Sequence, residues 1–448
     1  MAVNMTEGNI LKNLIKFSIP LILSGIMHQL YNWADSFIVG NVEGQNALAS
    51  IGTTTYINAI FMVIIIGFTM GLSILAGQQY GRGEDTKLVQ DLSTFTIVLG
   101  GISIIVTILG YLSSNSILNI LHTPEEIFKN ASDYLKIIMI GIPFIAVYNI
   151  YSAVLRGMGD SKAPMYSILI STIINIFLDI VFVYYFRFGV KGAAFATVFS
   201  QIIMALFIIF YTVKTYEYLK FRIEKNSVDI VILKEGIKLG LPVAIQSSVN
   251  SIGYLALQNF MNGFGVNTVA AITTCYKADS LVMMPIHNLS SSISTFVAQN
   301  IGAKNTKRAK ECVNTGLKIM ATMSLLLAVI MLFVGVKLIY LFGLRDESLE
   351  IGRNYFISEC RFYVILGIGM TFKGYLEGRG DVKFTSVVGV LTLMIQIVFS
   401  YILVGFYSNM VIAYAEGYAW TFETVLFIIR YLLIKKSKII WHSRGNIV

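Results

Sequence analysis

Two aspartates standing inside long apolar runs are the residues of this sequence best placed to do chemistry. Asp35 lies in Ile19–Val39, IPLILSGIMHQLYNWADSFIV, and Asp179 lies in SILISTIINIFLDIVFVYYF. A charged side chain at the centre of a membrane helix costs about 2.5–3.5 kcal/mol on insertion scales, so it faces a protein-lined interior and serves a function. Both acids have polar neighbours at helical spacing. Asn32, Tyr31 and His28 precede Asp35 on one stripe, and Ser171 and Asn175 precede Asp179 on another. Thr197 and Gln201 make an i, i+4 pair in the next apolar run. A buried carboxylate needs hydrogen-bond donors, a proton or a cation. Asp35, Asn175, Asp179 and Thr197 together offer the oxygens that would hold a proton or a hard alkali cation such as Na+. The sequence therefore predicts a cation-coupling site at these residues. The plainer alternative is that they only join helices through hydrogen bonds.

Other polar residues carry weaker signals. His28, Tyr31 and Asn32 are candidates for lining a cavity, as are Met283, Met284 and His287; methionine suits an adaptable binding surface. In the second half Leu257 stands where Asp35 stands in the first. Lys277 and Asp279 flank the eighth apolar run, Glu359 and Arg361 border the tenth, and Glu416 and Glu423 are seven apart on the last. For these, a rim position or local ion pairing is the expectation, with no assigned role. Cys275, Cys312 and Cys360 are an odd number without metal-site spacing, and read as packing residues. The glycine-rich stretches QQYGRG and GMGD lack the spacing of a nucleotide-binding loop and read as tight turns between helices.

The elements that must position these residues follow from composition. Of 448 residues, 56% are hydrophobic and 13% charged, and mean hydropathy is +0.71. Soluble domains carry about 25% charged residues, so this chain must face lipid. The N-terminal MAVNMTEGNILKNL lacks the basic region and small-residue cleavage site of a secretory signal, so the first run is expected to remain as a span. Apolar runs recur about twelve times, each near the ~20 residues that cross a ~30 Å hydrocarbon core. The net charge of +9 sits in short loops, which fits the positive-inside rule and not nucleic-acid binding. Arg82, Lys87, Arg156, Lys162, Lys304, Lys307, Arg379 and Lys383 fall in loops of one side, which puts both termini in the cytoplasm.

The chain repeats itself at an offset of about 221 residues. IKFSIP at Ile15–Pro20 answers IKLGLP at Ile237–Pro242, GQQYG answers AQNIG, and GMGDSK at Gly157–Lys162 answers GRGDVK at Gly378–Lys383. Six spans per repeat is an even number, so the halves enter the membrane from the same side, as parallel transporter repeats do. The expected organisation is an N-terminal lobe over 1–213, a cytoplasmic linker over 214–236, a C-terminal lobe over 237–438 and a cytoplasmic tail over 439–448. The fold class is all-α: a polytopic membrane protein of about twelve helices in two pseudo-symmetric lobes.

These features resemble the multidrug and toxic compound extrusion (MATE) family. Pro20 followed by Asp35, the Asn-x-x-x-Asp of Asn175 and Asp179, Thr197, and the turns AGQQYGRG, VAQNIGAKN and LRGMGDSK carry the likeness. The missing acid in the seventh span places the chain nearer the DinF and MepA-type branch. The resemblance implies a V-shaped pair of lobes, no cofactor, no enzyme activity, and efflux of amphipathic, often cationic, compounds in antiport with H+ or Na+. It implies a cell-membrane protein that works as a monomer among lipids, with small organic substrates. Bending of the first helix is expected at Pro20, which lacks a backbone N–H. A rival reading is a flippase for lipid-linked precursors or polysaccharide. It would call for a more basic cavity than Lys277, Arg361 and Lys373 supply. A channel lacks a repeated filter motif, and a membrane enzyme lacks a catalytic constellation.

Overall fold

A computed structural model describes residues 2–221 and 227–444, excluding the side chains of Asn32, Tyr56 and 437–444. The described residues are helical with short turns and no strand. The helices are α1 (Ile10–Glu43), α2 (Gln45–Arg82), α3 (Asp85–Ile120), α4 (Glu125–Gly157), α5 (Lys162–Asp179), α6 (Gly189–Thr215) and α7 (Ile230–Asn262). They continue with α8 (Val266–Gly302), α9 (Thr306–Leu341), α10 (Asp346–Glu359), α11 (Tyr363–Gly378), α12 (Val382–Tyr407) and α13 (Val411–Arg444). A single tight turn, Cys360–Phe362, separates α10 from α11. Counted as one interrupted segment, these two bring the number of span-length segments among the described residues to twelve, in line with the apolar pattern.

Several boundaries differ from the apolar runs for identifiable reasons. α8 begins at Val266, not near Leu281, because Lys277 and Asp279 lie inside the helix and Asp279 is buried. α7 begins inside the polar stretch, where Asp229 Oδ1 accepts the backbone N–H of Val231 at 2.7 Å and of Ile232 at 3.2 Å. That is an N-cap, which satisfies two of the free donors of a helix start. Residues 222–226 of that stretch lie outside the described residues.

The chain divides into two compact units. The first comprises Met1–Thr6 with Ile15–Ala244, the second Glu7–Leu14 with Ile245–Val448. In the first, Leu72, Leu92, Phe95, Ile150 and Val154 form the main apolar core. In the second, Ile272, Met331, Tyr355, Phe356 and Tyr363 do so. Large apolar side chains also point outward: Phe37, Leu112, Phe333 and Phe406 are all exposed. In lipid these cost nothing, and helix formation pairs the backbone polar groups along each span.

The repeat is visible as packing. A Cβ on Gly157 would stand 2.7 Å from Ser73 O and 2.8 Å from Gly77 N. At its counterpart Gly378, a Cβ would meet the backbone of Ser294 and, at 3.1 Å, Ala298 N. Glycine lets two helix backbones touch at the same place in each unit. The turns that follow are helix caps, as their spacing suggested. Gly159 and Gly380 take φ of 93° and 88°, a left-handed conformation that suits glycine. Asp160 Oδ1 accepts from the backbone N–H of Lys162 and Ala163 at 3.0 and 3.2 Å. Its Oδ2 accepts from the hydroxyls of Tyr216 at 2.8 Å and Tyr211 at 3.3 Å. Burial first, and the Asp160 charge second, hold the Tyr216 hydroxyl well above its ordinary pKa, so it remains a donor at any working pH. Removing it in Tyr216→Phe is expected to lower stability by about 1.5–3 kcal/mol, the range for a hydrogen bond to a charged group. Thermal unfolding of the purified protein measures this, and an unchanged midpoint would show the bond to be idle.

Candidate functional site

The first unit gathers the predicted coupling residues on three helices. Asp35 comes from α1, Asn175 and Asp179 from α5, and Thr197 from α6. Asp35 is 6% exposed, while Asp179 and Asn175 are fully buried. The two aspartates lie close enough to act on one another electrostatically. Among the described residues no lysine, arginine or histidine acts on either. Both oxygens of Asp179, the whole amide of Asn175 and one oxygen of Asp35 find no hydrogen-bond partner among the described residues. Orphaned buried polar atoms in this number call for an explanation, and a bound cation or proton supplies one.

Local structure holds this arrangement. Ser200 Oγ donates to Thr197 O at 2.7 Å, and Ser171 Oγ donates across to Ser200 O at 3.1 Å, tying α5 to α6 beside the site. Gln201 packs its side chain against Gly141 of α4, where a Cβ would not fit. Directly after Asp179, α5 widens into a π-helical turn, Ile180–Tyr185, in which the Phe186 N–H reaches back to Val181 O at 2.9 Å. Such turns are rare and concentrate at functional sites. Nothing in the residue types or their spacing flags it.

Two tyrosines complete the cluster. Tyr31, foreseen on the Asp35 stripe, lies within reach of Asp35, Asp179, Thr197 and Ser200. Tyr134 of α4, which sequence reasoning missed, presents its hydroxyl to Asp35. It stands apart from the acids in sequence, so no local spacing could have flagged it. His28 lies with its ring 6.2 Å from that of Tyr31 and is exposed. The Asn32 side chain lies outside the described residues. Pro20 is buried, and α1 runs through it without a break. Met283, Met284 and His287 belong to α8 of the second unit, where Lys373 acts electrostatically on His287. They are not part of the Asp35 cluster.

The second unit corrects the expectation of rim positions and local ion pairs. Asp279 pairs not with Lys277 but with the hydroxyl of Tyr363, which donates to its Oδ1. Glu359 is fully buried and unpaired, while Arg361 is exposed and donates to Tyr414 Oη at 3.4 Å. Glu416 Oε2 accepts from Tyr355 Oη at 3.5 Å. Glu377 and Glu423 are buried within reach of Lys373. Residues two apart on a helix do not face each other, so Lys277 with Asp279, and Glu359 with Arg361, point in different directions. Among the described residues no three His, Cys, Asp or Glu side chains converge as a metal cage, and the three cysteines are free and buried.

A family model described as MatE matches residues 20–181 and again residues 242–402. The chain belongs to the MatE family. As a MatE protein it is a multi-pass membrane transporter and not an enzyme. The two matched stretches fall one in each sequence repeat, and the first encloses both Asp35 and Asp179. This MatE chain is 29% identical over 382 residues to Probable multidrug resistance protein YpnP of Bacillus subtilis (strain 168), covering 85% of each chain. It is 23% identical over 398 residues to Multidrug export protein MepA of Staphylococcus haemolyticus (strain JCSC1435), 88% of this chain and 87% of that one. Among solved structures, a multidrug resistance MATE family transporter of the MOP superfamily in an outward-facing conformation matches with a TM-score of 0.90. The identity is 22%, over 97% of this chain and 99% of that one, a likeness of fold.

Proposed function

We propose that this MatE protein exports amphipathic organic compounds, often cationic, in exchange for H+ or Na+. The observation that carries the reading is the pair Asp35 and Asp179, buried together with unsatisfied oxygens and no basic partner. Asn175 and Thr197 add neutral oxygens as ligands or hydrogen-bond partners. An incoming proton or Na+ relieves the cost of two sequestered charges. It drives transport only if it binds the two access states unequally. Occupancy then reorganises α1 around Pro20 and releases the exported compound to the outside. The relatives named for multidrug resistance and export support the substrate class.

The same reading assigns a lobe to 1–213 and another to 237–438, with a cytoplasmic linker at 214–236 and a cytoplasmic tail at 439–448. Both termini then lie in the cytoplasm, and one chain suffices, embedded in the lipid of the cell membrane. His28 and Tyr31 remain candidates for contacting substrate within the first unit, and Met283, Met284 and His287 within the second; the candidate Asn32 has its side chain outside the described residues. The test is efflux of a fluorescent organic cation from proteoliposomes, first under an imposed pH gradient and then under a sodium gradient. One gradient is expected to accelerate efflux at least tenfold over no gradient, and that one names the ion. A response to neither rejects the antiport.

A further inference from the structure

The first unit buries another acid, one that takes no part in the Asp35 and Asp179 cluster. Asp91 of α3 has no exposed surface, and its partner Gln79 of α2 is 2% exposed. Gln79 Nε2 donates to Asp91 Oδ1 at 3.1 Å. The other two polar atoms of the pair, Gln79 Oε1 and Asp91 Oδ2, are buried and meet no hydrogen-bond partner among the described residues. The charged groups that act on Asp91 among those residues are Glu235 of α7, Asp229 at the N-cap of α7, and Lys87 of α3. Lys87 pairs with Glu84 at 3.1 Å, so the other charges around Asp91 are negative.

Asp91 lies where α7 is fastened down. Thr94, one turn beyond it, donates through Oγ1 to Ser227 O at 3.1 Å and accepts the Asp229 N–H at 3.0 Å. Phe95 packs against Gly236, where a Cβ would not fit, and a Cβ on Gly240 would stand 2.7 Å from Phe68 Cα of α2. The first turns of α7 are thus seated on α2 and α3 within the first unit. The chain passes to the second unit further along the same helix, between Ala244 and Ile245. At the matching place of the second repeat stands Cys312, free and buried. Helix packing at this place therefore does not itself call for a carboxylate.

One proton accounts for both unpartnered oxygens. On Asp91 Oδ2 it makes an O–H donor that Gln79 Oε1 can accept, while the amide N–H already donates to Oδ1. Acid and amide then close into a ring of two hydrogen bonds. An ionised carboxylate only accepts, which leaves Oδ2 and Oε1 as two acceptors side by side, and a buried charge without a partner is costly. A metal ion fits less well. Ca2+ and Mg2+ take about six or more oxygens, and among the described residues no three acid, histidine or cysteine side chains converge. We propose that Asp91 and Gln79 form a pH-responsive catch for the start of α7. With the proton on Oδ2, acid and amide bind each other and α7 stays seated. When the proton leaves for the water at the α2–α3 turn, the carboxylate faces Glu235 and Asp229, and like-charge repulsion lifts the first turns of α7.

Hydrogen–deuterium exchange of the full-length protein in lipid, compared with Asp91→Asn at each pH, tests the catch. Asparagine keeps both hydrogen bonds to Gln79, donating from Nδ2 and accepting at Oδ1, but cannot ionise. The ratio of the two proteins' exchange cancels the intrinsic effect of pH on amides. Over residues 227–240 the wild type is expected to match the variant at low pH and to exchange about tenfold faster or more at high pH, the mark of local opening. Over α9 the two should match throughout. Glu235→Gln, at an exposed position, removes one of the two acidic neighbours and is expected to cut the rise about threefold or more. A ratio that stays flat across pH overturns the proposal, and so does a rise that Glu235→Gln leaves whole. Should Asp91→Asn fail to fold, the wild type set against Glu235→Gln decides: faster exchange over 227–240 at high pH alone supports the catch, and equal exchange at both overturns it. No gradient or substrate enters the measurement, so its outcome is independent of the antiport reading.

Discussion

Asp35→Asn combined with Asp179→Asn reduces gradient-driven efflux to the passive leak, a fall of about a hundredfold or more. The size follows from the coupling requirement. Moving an equilibrium between two access states from 1:99 to 99:1 takes about 5.5 kcal/mol of differential binding, and a cation bound equally well by both states shifts nothing. Asparagine is isosteric with aspartate but cannot ionise, so the paired variant loses the differential. Each single replacement keeps one acid and is expected to lose about tenfold, the equivalent of about 1.4 kcal/mol. Stability separates this from misfolding. Both acids are buried without a basic partner, so neutralising them removes an unfavourable burial. The paired variant should therefore melt at the same temperature as the wild type or higher. Efflux from proteoliposomes at fixed protein content, with a melting curve beside it, reads both quantities. Wild-type efflux would end the case for these residues.

The second large effect is on stability, at the glycines where helices touch. Gly378→Val is expected to destabilise by about 3 kcal/mol, the upper part of the usual overpacking range, and Gly157→Val by somewhat less. A Cβ at Gly378 meets the carbonyl oxygen of Ser294 and, at 2.8 Å, the Val297 side chain. At Gly157 the nearest atom is Ser73 O at 2.7 Å. Backbone atoms cannot swing aside as a side chain would, so a helix must move. The free and buried Cys275, Cys312 and Cys360 are built-in reporters: a thiol-reactive dye gains signal as unfolding exposes them. Midpoints several degrees lower, with Gly378→Val the lower of the two, are the expected outcome. Unchanged midpoints would mean that the close helix approach contributes nothing.

The architecture was open to reading because a membrane helix announces itself by apolar length, and because the repeat carries GMGDSK and GRGDVK at matching places. Asp35 and Asp179 stood out for the same reason, as lone acids in greasy runs. The Asp279, Glu359 and Glu416 group did not. Asp279 stands near Lys277 and Glu359 near Arg361, where proximity along the chain suggests pairing, and Glu416 is marked only by sharing a face with Glu423. The helix turns Lys277 and Arg361 away from Asp279 and Glu359, and the partners of Asp279 and Glu416 arrive instead from distant segments as tyrosines. Tyr134 was hidden in the same way. α7 and α8 blurred for a related reason, since the asparagines, serines and threonines within them lower the apolar signal.

The widened turn at Ile180–Tyr185 has a consequence for how α5 meets two environments. Each residue of an α-helix advances the side-chain direction by about 100°, so one surplus residue rotates everything beyond it by that angle. Asp179 can thus look inward while Tyr184, Tyr185 and Phe186, all exposed, look outward, and exposed aromatic rings at the end of a span suit a boundary between lipid and water. A regular helix would force a choice between anchoring its end and aiming its acid. The extra residue frees the two orientations from each other.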